Sequence, residues 1–290
     1  MLGASFFATK GIVIKLALLE NVDALTTLTW RMIIAVPFFV LIGYFGYKSR
    51  KKKNVNFNIP RSAIIKTAIL GMVGYYLASY LDFAGLEYIS AQFDRLILLT
   101  YPFFVVIFGA IFFKRVIRFS MILSLLISYA GLALIFAHDL KLAGNDVIIG
   151  ASLVLGAAVA YALYQLFAKP LIDIMGARLF TSIALTSAGV AVMIHFSLTH
   201  EISDLLVSHR AMWLMLAMGT ISMVIPAYLI STSIGMIGAE PTAIMGNISP
   251  LVTIFLAITI LGEDFSLWHA IGSAFVLFGM FAFTNSQLRK

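Results

Sequence analysis

Cysteine is absent from the 290 residues, which excludes disulfides, thiolate metal centres, iron–sulfur clusters and redox-active thiols. Charge is scarce as well. Asp, Glu, Lys and Arg make up 11% of the chain, against about 25% in an ordinary water-soluble domain. With 61% hydrophobic residues, a water-soluble enzyme is excluded. No Gly-x-x-x-x-Gly-Lys-Ser/Thr run occurs, so the chain lacks the phosphate cradle of an ATP-driven pump. Neither His-Glu-x-x-His nor Gly-x-Ser-x-Gly is present. His138, His195, His200, His209 and His269 therefore read as solvated groups near loop ends, with no metal site and no cofactor expected.

What is abundant is long apolar sequence. Runs of the length that crosses a bilayer, about 20 residues, extend from Leu2 to Leu19, Leu25 to Tyr47, Ile64 to Ala84, Leu96 to Phe113 and Phe119 to Ala137. Five more extend from Val147 to Ala168, Phe180 to Leu198, Ala211 to Ile234, Thr242 to Leu261 and Leu267 to Thr284. Backbone in lipid must satisfy its own hydrogen bonds, and runs this long do so as helices; barrel strands would alternate over about 10 residues. The expected fold is an all-α integral membrane protein of ten transmembrane helices. The first run begins almost at Met1 without the basic region and cleavage site of a signal peptide, so it reads as a retained helix.

The net charge of +7 is a matter of topology, not of nucleic-acid binding. Cytoplasmic loops hold the excess of Lys and Arg. Fourteen of these residues, including Lys48, Arg50, Lys51, Lys52, Lys53, Arg61 and Lys66, fall on one set of alternate loops, against Arg95, Lys141 and Arg210 on the other. Both termini are thus expected in the cytoplasm, with the protein in a bacterial inner membrane. The Lys51-Lys52-Lys53 run is expected to meet lipid headgroups.

A shift of 148 residues brings the third to fifth spans onto the eighth to tenth without a gap, pairing Gly71 with Gly219, Tyr80 with Tyr228, Pro102 with Pro250 and Gly131 with Gly279. In so biased a composition the identities alone carry little weight. The gapless register and the loop charges carry more, because five spans per half turn the second copy upside down. The expected domains are a five-helix repeat over residues 1–137 and an inverted one over 138–290, the signature of secondary transporters with a site near the midplane.

The stretch Asn247-Ile248-Ser249-Pro250, through Leu261-Gly262-Glu263 to Gly272 and Gly279, resembles the EamA family of the drug/metabolite transporter superfamily. Phe7-Ala8-Thr9-Lys10, Arg31, and Ile89-Ser90-Ala91-Gln92-Phe93-Asp94-Arg95-Leu96-Ile97-Leu98 ahead of Tyr101-Pro102 resemble one bacterial branch of it. The resemblance covers nearly the whole chain. It implies a ten-helix exporter or exchanger of amino acids and related small metabolites, driven by gradients and not by ATP. Lys114-Arg115 stands where the family has Gly-Glu, so that glutamate survives only as Glu263, and the N-terminus looks short for the family.

Ionisable groups in lipid cost at least about 2.5 kcal/mol each near a helix centre, so they face a polar interior or a partner. The candidates for substrate binding or the transport pathway are Lys10, Arg31, Asp82, Asp94 and Arg95 from the first half, with Tyr161, Gln165 and Asn247 from the second. Lys10 and Arg31 suit a carboxylate; Asp82 or Asp94 suits an amino group or a coupling proton. Arg31 with Asp82 or Asp94 reads equally as a structural ion pair, and Lys15 is expected to snorkel. Tyr164, Ser231 and Thr232 are further polar groups of the second half, and Tyr75, Tyr76 and Tyr80 candidate wall residues. Pro102 and Pro250 are expected to kink their spans and expose carbonyls, or to shape packing only. The partners expected are a small-molecule substrate and the lipid bilayer. Two other readings stay open: a lipid-linked carrier or flippase, and an embedded enzyme using Asp82 or Asp94 as acid or base.

Overall fold

The computed structural model describes residues 9–53, 58–114, 117, 119–239, 242 and 249–288. Among these no strand occurs. The helices are α1 Lys10–Leu19, α2 Ala24–Lys53, α3 Arg61–Gly85, α4 Ala91–Phe113, α5 Phe119–Ala143, α6 Asp146–Met175, α7 Ala177–Thr199, α8 His209–Ile237, α9 Ser249–Leu256 with the π turn Ala257–Leu261, and α10 Leu267–Leu288. Eight of them, α2 to α8 and α10, are long and apolar enough to cross a membrane among the described residues. Large apolar side chains such as Phe45, Leu126, Trp213, Phe255 and Phe281 lie exposed on the outside, as a lipid-facing surface requires.

Most helices extend a little past the apolar runs, because polar residues cap them. Asp23 accepts from the backbone N–H of Leu25 at 2.8 Å and of Thr26 at 3.0 Å to open α2, and Ser208 accepts from Ala211 at 3.1 Å to open α8. The fourth span departs from expectation at its start. It begins at Ala91, not Leu96, because Ser90 caps it through Phe93 N at 3.2 Å and Asp94 and Arg95 are folded into the helix. It then breaks at Leu99–Thr100, and Pro102 sits second in the next piece, Tyr101–Phe113. Thr100 Oγ1 donates to the Ile97 carbonyl at 2.7 Å, so the break leaves that carbonyl satisfied. Pro250 is likewise second in Ser249–Leu256, with undescribed residues before it. Pro37 and Pro170, inside α2 and α6, are interior prolines that the sequence reading passed over.

The 148-residue offset recurs at several backbone features, though the π turn Ala257–Leu261 has no counterpart in Tyr101–Phe113. π turns open at Met72 in α3 and at Thr220 in α8, each directly after a glycine, Gly71 and Gly219. Helical pieces open at Tyr101 and Ser249. Left-handed C-caps fall at Lys114, with φ 53°, and at Gly262, with φ 66°. Glycine takes that conformation freely, whereas a side chain costs about 1–2 kcal/mol there. Replacing Lys114 by Gly is therefore expected to stabilise the protein by about 1 kcal/mol, measured as a shift of thermal unfolding in detergent.

The packing follows the same offset. Helix α2 lies on α7 and α5 on α10, while α3 packs on α6 and α7, as α8 packs on α1 and α2. Where α5 crosses α10, a Cβ at Gly131 would fall 2.5 Å from the Gly272 carbonyl oxygen, and one at Gly279 would fall 2.7 Å from that of Ser124. Those two contacts exchange under the offset and show that the helices run antiparallel. At the crossing point Ser128 Oγ donates to the carbonyl of Val276 at 3.3 Å, its own counterpart 148 residues on.

Candidate functional site

Five ionisable side chains converge between α1, α2, α3 and the first piece of α4. Lys10, Arg31, Asp82, Asp94 and Arg95 are between 1% and 6% exposed. The Lys10 ammonium meets the Asp82 carboxylate. Arg31 donates to Ser79 Oγ at 3.0 Å, one turn before Asp82 on α3. Lys10 and Arg31 both stand over the Phe83 ring, at 5.2 and 5.0 Å from its centroid, so the aromatic face supports two cations at once. Asp94 faces Asp82, with Lys10 and Arg95 as its nearest cations. Three cations thus confront two carboxylates in a dry environment.

The sequence reading offered Arg31 as the ion-pair partner of Asp82 or Asp94. The structure gives Asp82 to Lys10 instead, because α1 enters against α4 and brings Lys10 to the α3 carboxylate, while Ser79 takes Arg31. Lys15 is half-buried, with Glu263, Asp94 and Glu87 as its nearest charges.

A tyrosine wall adjoins this cluster. Arg95 neighbours Tyr101 and Tyr161, and Arg31 neighbours Tyr75. The rings run on edge to face: Tyr101 on Tyr161 at 5.2 Å and Tyr75 on Tyr164 at 4.9 Å, with Tyr161 stacked on Tyr164 at 6.0 Å. Gln165 stands beside the hydroxyls of Tyr101 and Tyr161. Its Oε1, the hydroxyls of Tyr75, Tyr164 and Ser231, Arg31 Nε and Asp94 Oδ1 are all buried, the Tyr164 hydroxyl beside those of Tyr75 and Ser231 and Asp94 against Asp82. Buried polar atoms are normally satisfied. Six polar atoms gathered in one region make a surface to which a polar molecule or water can add hydrogen bonds.

Asn247 lies outside the described residues. Tyr161 and Gln165 come together with Arg95, and Tyr164 and Ser231 join them. Thr232 faces outward. Tyr75 lines this wall, whereas Tyr76 and Tyr80 instead meet His195: Tyr76 Oη lies 3.2 Å from its Nδ1 and the Tyr80 ring 4.9 Å from the imidazole. Ser79, Phe83 and Tyr101 are site residues with no place among the sequence candidates; Ser79 lies one turn before Asp82, a spacing that could have flagged it, whereas Phe83, directly after Asp82, carries no such signal.

The end of the bundle that carries the acidic loops is latched by polar contacts. Glu263 accepts from the N–H groups of Ala91 at 2.7 Å and Gln92 at 3.2 Å, and Gln92 Nε2 donates to the Asp264 carbonyl at 2.7 Å. The Glu263 carboxylate thus sits on the N-terminus of the short helix bearing Asp94 and Arg95, where the helix dipole favours it. Arg210 pairs with Glu20 at 3.1 Å, and Trp30 Nε1 donates to the Leu205 carbonyl at 3.1 Å. Elsewhere, His138, Asp139 and His269 on α5 and α10 come together. His269 is 6% exposed, not the solvated loop histidine that the sequence suggested, because the α5–α10 contact encloses it.

These features define a helical integral membrane protein with a charged and polar interior. Residues 1–137 and again 148–285 match the EamA-like transporter family, and the chain belongs to that family. It is 29% identical to the protein named "uncharacterized transporter YcbK" of Bacillus subtilis, over 100% of this chain and 92% of that protein. An "uncharacterized transporter" of Clostridium kluyveri is 24% identical, over 96% and 89% respectively. A solved crystal structure shares the fold at a TM-score of 0.65 and 13% identity, with 99% of each chain covered. The protein is a membrane transporter, acting on a small molecule across a lipid bilayer.

Proposed function

We propose that the chain is a secondary-active carrier that exports or exchanges a small polar metabolite bearing a carboxylate, such as an amino acid, by alternating access. In this reading ten transmembrane helices form two inverted repeats, residues 1–137 and 138–290, in the bacterial inner membrane with both termini cytoplasmic. The antiparallel crossing of α5 and α10 at Ser128 and Val276 supports it, because a residue touches its own counterpart only on a twofold axis, and an axis in the membrane plane turns one copy over.

The single observation that carries the substrate class is the surplus cation among Lys10, Arg31, Arg95, Asp82 and Asp94. A buried cluster of three cations and two carboxylates is stabilised by a further anion, and a carboxylate beside Arg95 or Arg31 meets it with paired hydrogen bonds. Gln165 and the tyrosine hydroxyls then receive the polar remainder of the substrate. Asp94, buried against Asp82, is the group to carry a coupling proton or meet an amino group. For the site to open toward the acidic loops, the Glu263 and Glu20 contacts must part.

The test is counterflow in proteoliposomes with a panel of labelled amino acids and related carboxylates, with and without a proton gradient. Saturable exchange of a carboxylate-bearing compound, absent for its amide, is expected. Exchange of lipid-linked substrates alone would overturn the reading. Sidedness has its own test, since the chain has no native cysteine. Ser49, near the C-terminal end of α2, and Ser203, in the turn Ile202–Leu205, are both exposed. Because Gly46 of α2 abuts Arg178 at the start of α7, the two serines lie at opposite ends of the α2–α7 pair. Single cysteines there are expected to label from the inside at Ser49 and the outside at Ser203 with an impermeant maleimide; same-side labelling breaks the topology.

A further inference from the structure

We propose that His138, Asp139 and His269 hold a zinc-class divalent cation that ties α5 to α10 at one end of their crossing. The three side chains offer ligand atoms within 4.8 Å of one another. His269 Nε2 lies 3.1 Å from Asp139 Oδ1. Bonds of about 2.0–2.2 Å in a tetrahedral site hold neighbouring ligand atoms about 3.4 Å apart, so this pair already stands near the separation a shared ion imposes.

The outer partner is also in place. Ser266 Oγ is 2.7 Å from His269 Nδ1, with the Ser266 N–H 3.4 Å from the same nitrogen. In the tautomer that donates from Nδ1 to Ser266 Oγ, the Nε2 lone pair is directed at the Asp139 side and free for a cation. Metal-bound histidines use the second ring nitrogen in this way to fix the ring. An Asp–His pair alone needs one imidazole. The second, His138, makes ring contacts only among the described residues, edge-on to His269 at 5.4 Å and against Trp268 at 6.4 Å. A ligand position gives that ring a polar partner.

The donor set narrows the ion. Two imidazoles and one carboxylate without thiolate suit zinc and its neighbours in the first transition row, not the all-oxygen preference of magnesium or calcium. Three protein ligands leave one position for water. Under the 148-residue offset the counterparts of His269, His138 and Asp139 are Met121, Ser286 and Gln287, which offer no imidazole or carboxylate. The cation therefore staples one end of the helix pair only, the end where Glu263 and Asp264 also lie, and biases it against separation.

The experiment uses the full chain, purified without a histidine tag, with zinc as the probe and calorimetry and thermal unfolding as readouts. Saturable binding of one zinc per chain is expected, with a rise in unfolding temperature that grows with zinc concentration. His138→Ala and His269→Gln are each expected to weaken binding at least tenfold, and Ser266→Ala about tenfold, while each variant unfolds cooperatively without metal. Cobalt in place of zinc is expected to give the visible bands of a four-coordinate ion in the wild type alone. No saturable binding, or binding undiminished in His138→Ala, overturns the proposal, and metal-free unfolding of His138→Ala keeps that result interpretable if His269→Gln does not fold.

Discussion

Lys10→Met is expected to abolish counterflow and to lower the unfolding free energy by about 3–5 kcal/mol, the range for removing one member of a buried ion pair. Asp82, 1% exposed, then lies buried without the ammonium that meets it. Arg31, held on Ser79 at 3.0 Å, stands one turn away and can turn toward Asp82, which places the loss at the lower end of that range. The double variant Lys10→Met/Asp82→Asn is expected to recover most of the stability, since an apolar and a neutral group of similar volume remove both desolvation costs. Transport is expected to stay absent, because Lys10 and Asp82 both belong to the proposed transport site and the net charge left by Arg31, Arg95 and Asp94 does not replace them. Equilibrium unfolding in detergent and counterflow on the same preparations separate the two effects. If the double variant regains both, the pair serves folding alone and the site moves to Arg31 and Arg95.

Placing ionisable residues inside apolar runs was enough to single out Lys10, Arg31 and Asp82, and for Lys10, well inside its span, 1.5 Å per residue leaves the side chain no reach to water. Arg31 and Asp82 fall nearer the ends of their runs, and their burial follows from the packing. The pairing was not legible. Whether Asp82 meets Lys10 or Arg31 depends on how α1 enters beside α4, a tertiary contact with no trace in either local sequence. The start of α4 was misread for a related reason: Asp94 and Arg95 looked like the polar margin of an apolar run, whereas Ser90 and Glu263 cap the helix before them and the bundle encloses both. Glu263 is 172 residues from Ala91, so no local rule reveals it. The tyrosine wall was half legible. Tyr161, Tyr164 and Gln165 share a face by helical spacing, but Tyr75 faces the same region within a π turn, and π turns have no dependable sequence signal. His269 shows the limit most plainly, since its neighbours in sequence suggest a loop end and only α5 buries it.

The sequence register of 148 residues leads to the second large effect. Gly131→Ala and Gly279→Ala are expected to destabilise the protein by about 1–3 kcal/mol each, the usual cost of overpacking, and by similar amounts. At Gly131 the new Cβ lies 2.5 Å from the Gly272 carbonyl oxygen and 3.0 Å from Val276 N; at Gly279 it lies 2.7 Å from the Ser124 carbonyl oxygen and 2.8 Å from Ser128 N. These are the same two contacts under the offset, with Phe275 Cβ crowded in addition at the first and Ser128 Oγ, a hydroxyl that can rotate, at the second. Backbone atoms cannot swing aside as a side-chain tip does, so α5 and α10 must separate, and close packing through small residues is what holds helices together where lipid removes the hydrophobic drive between them. Gly156→Ala is the control. Its Cβ meets only the flexible Leu81 Cδ1, at 3.3 Å, so its cost is expected to stay below 1 kcal/mol. Ser128→Ala removes one interhelical hydrogen bond and is expected to cost about 0.6 kcal/mol. Denaturant unfolding of the four variants in one detergent gives the comparison. Equal losses at Gly131 and Gly279 are what a twofold crossing requires, because each residue makes in one half the contact that the other makes in the second. A loss confined to one of them would mean that the crossing resembles a dyad in position but not in energy, and the inverted-repeat reading would lose its physical support at the one place where the halves meet their own counterparts.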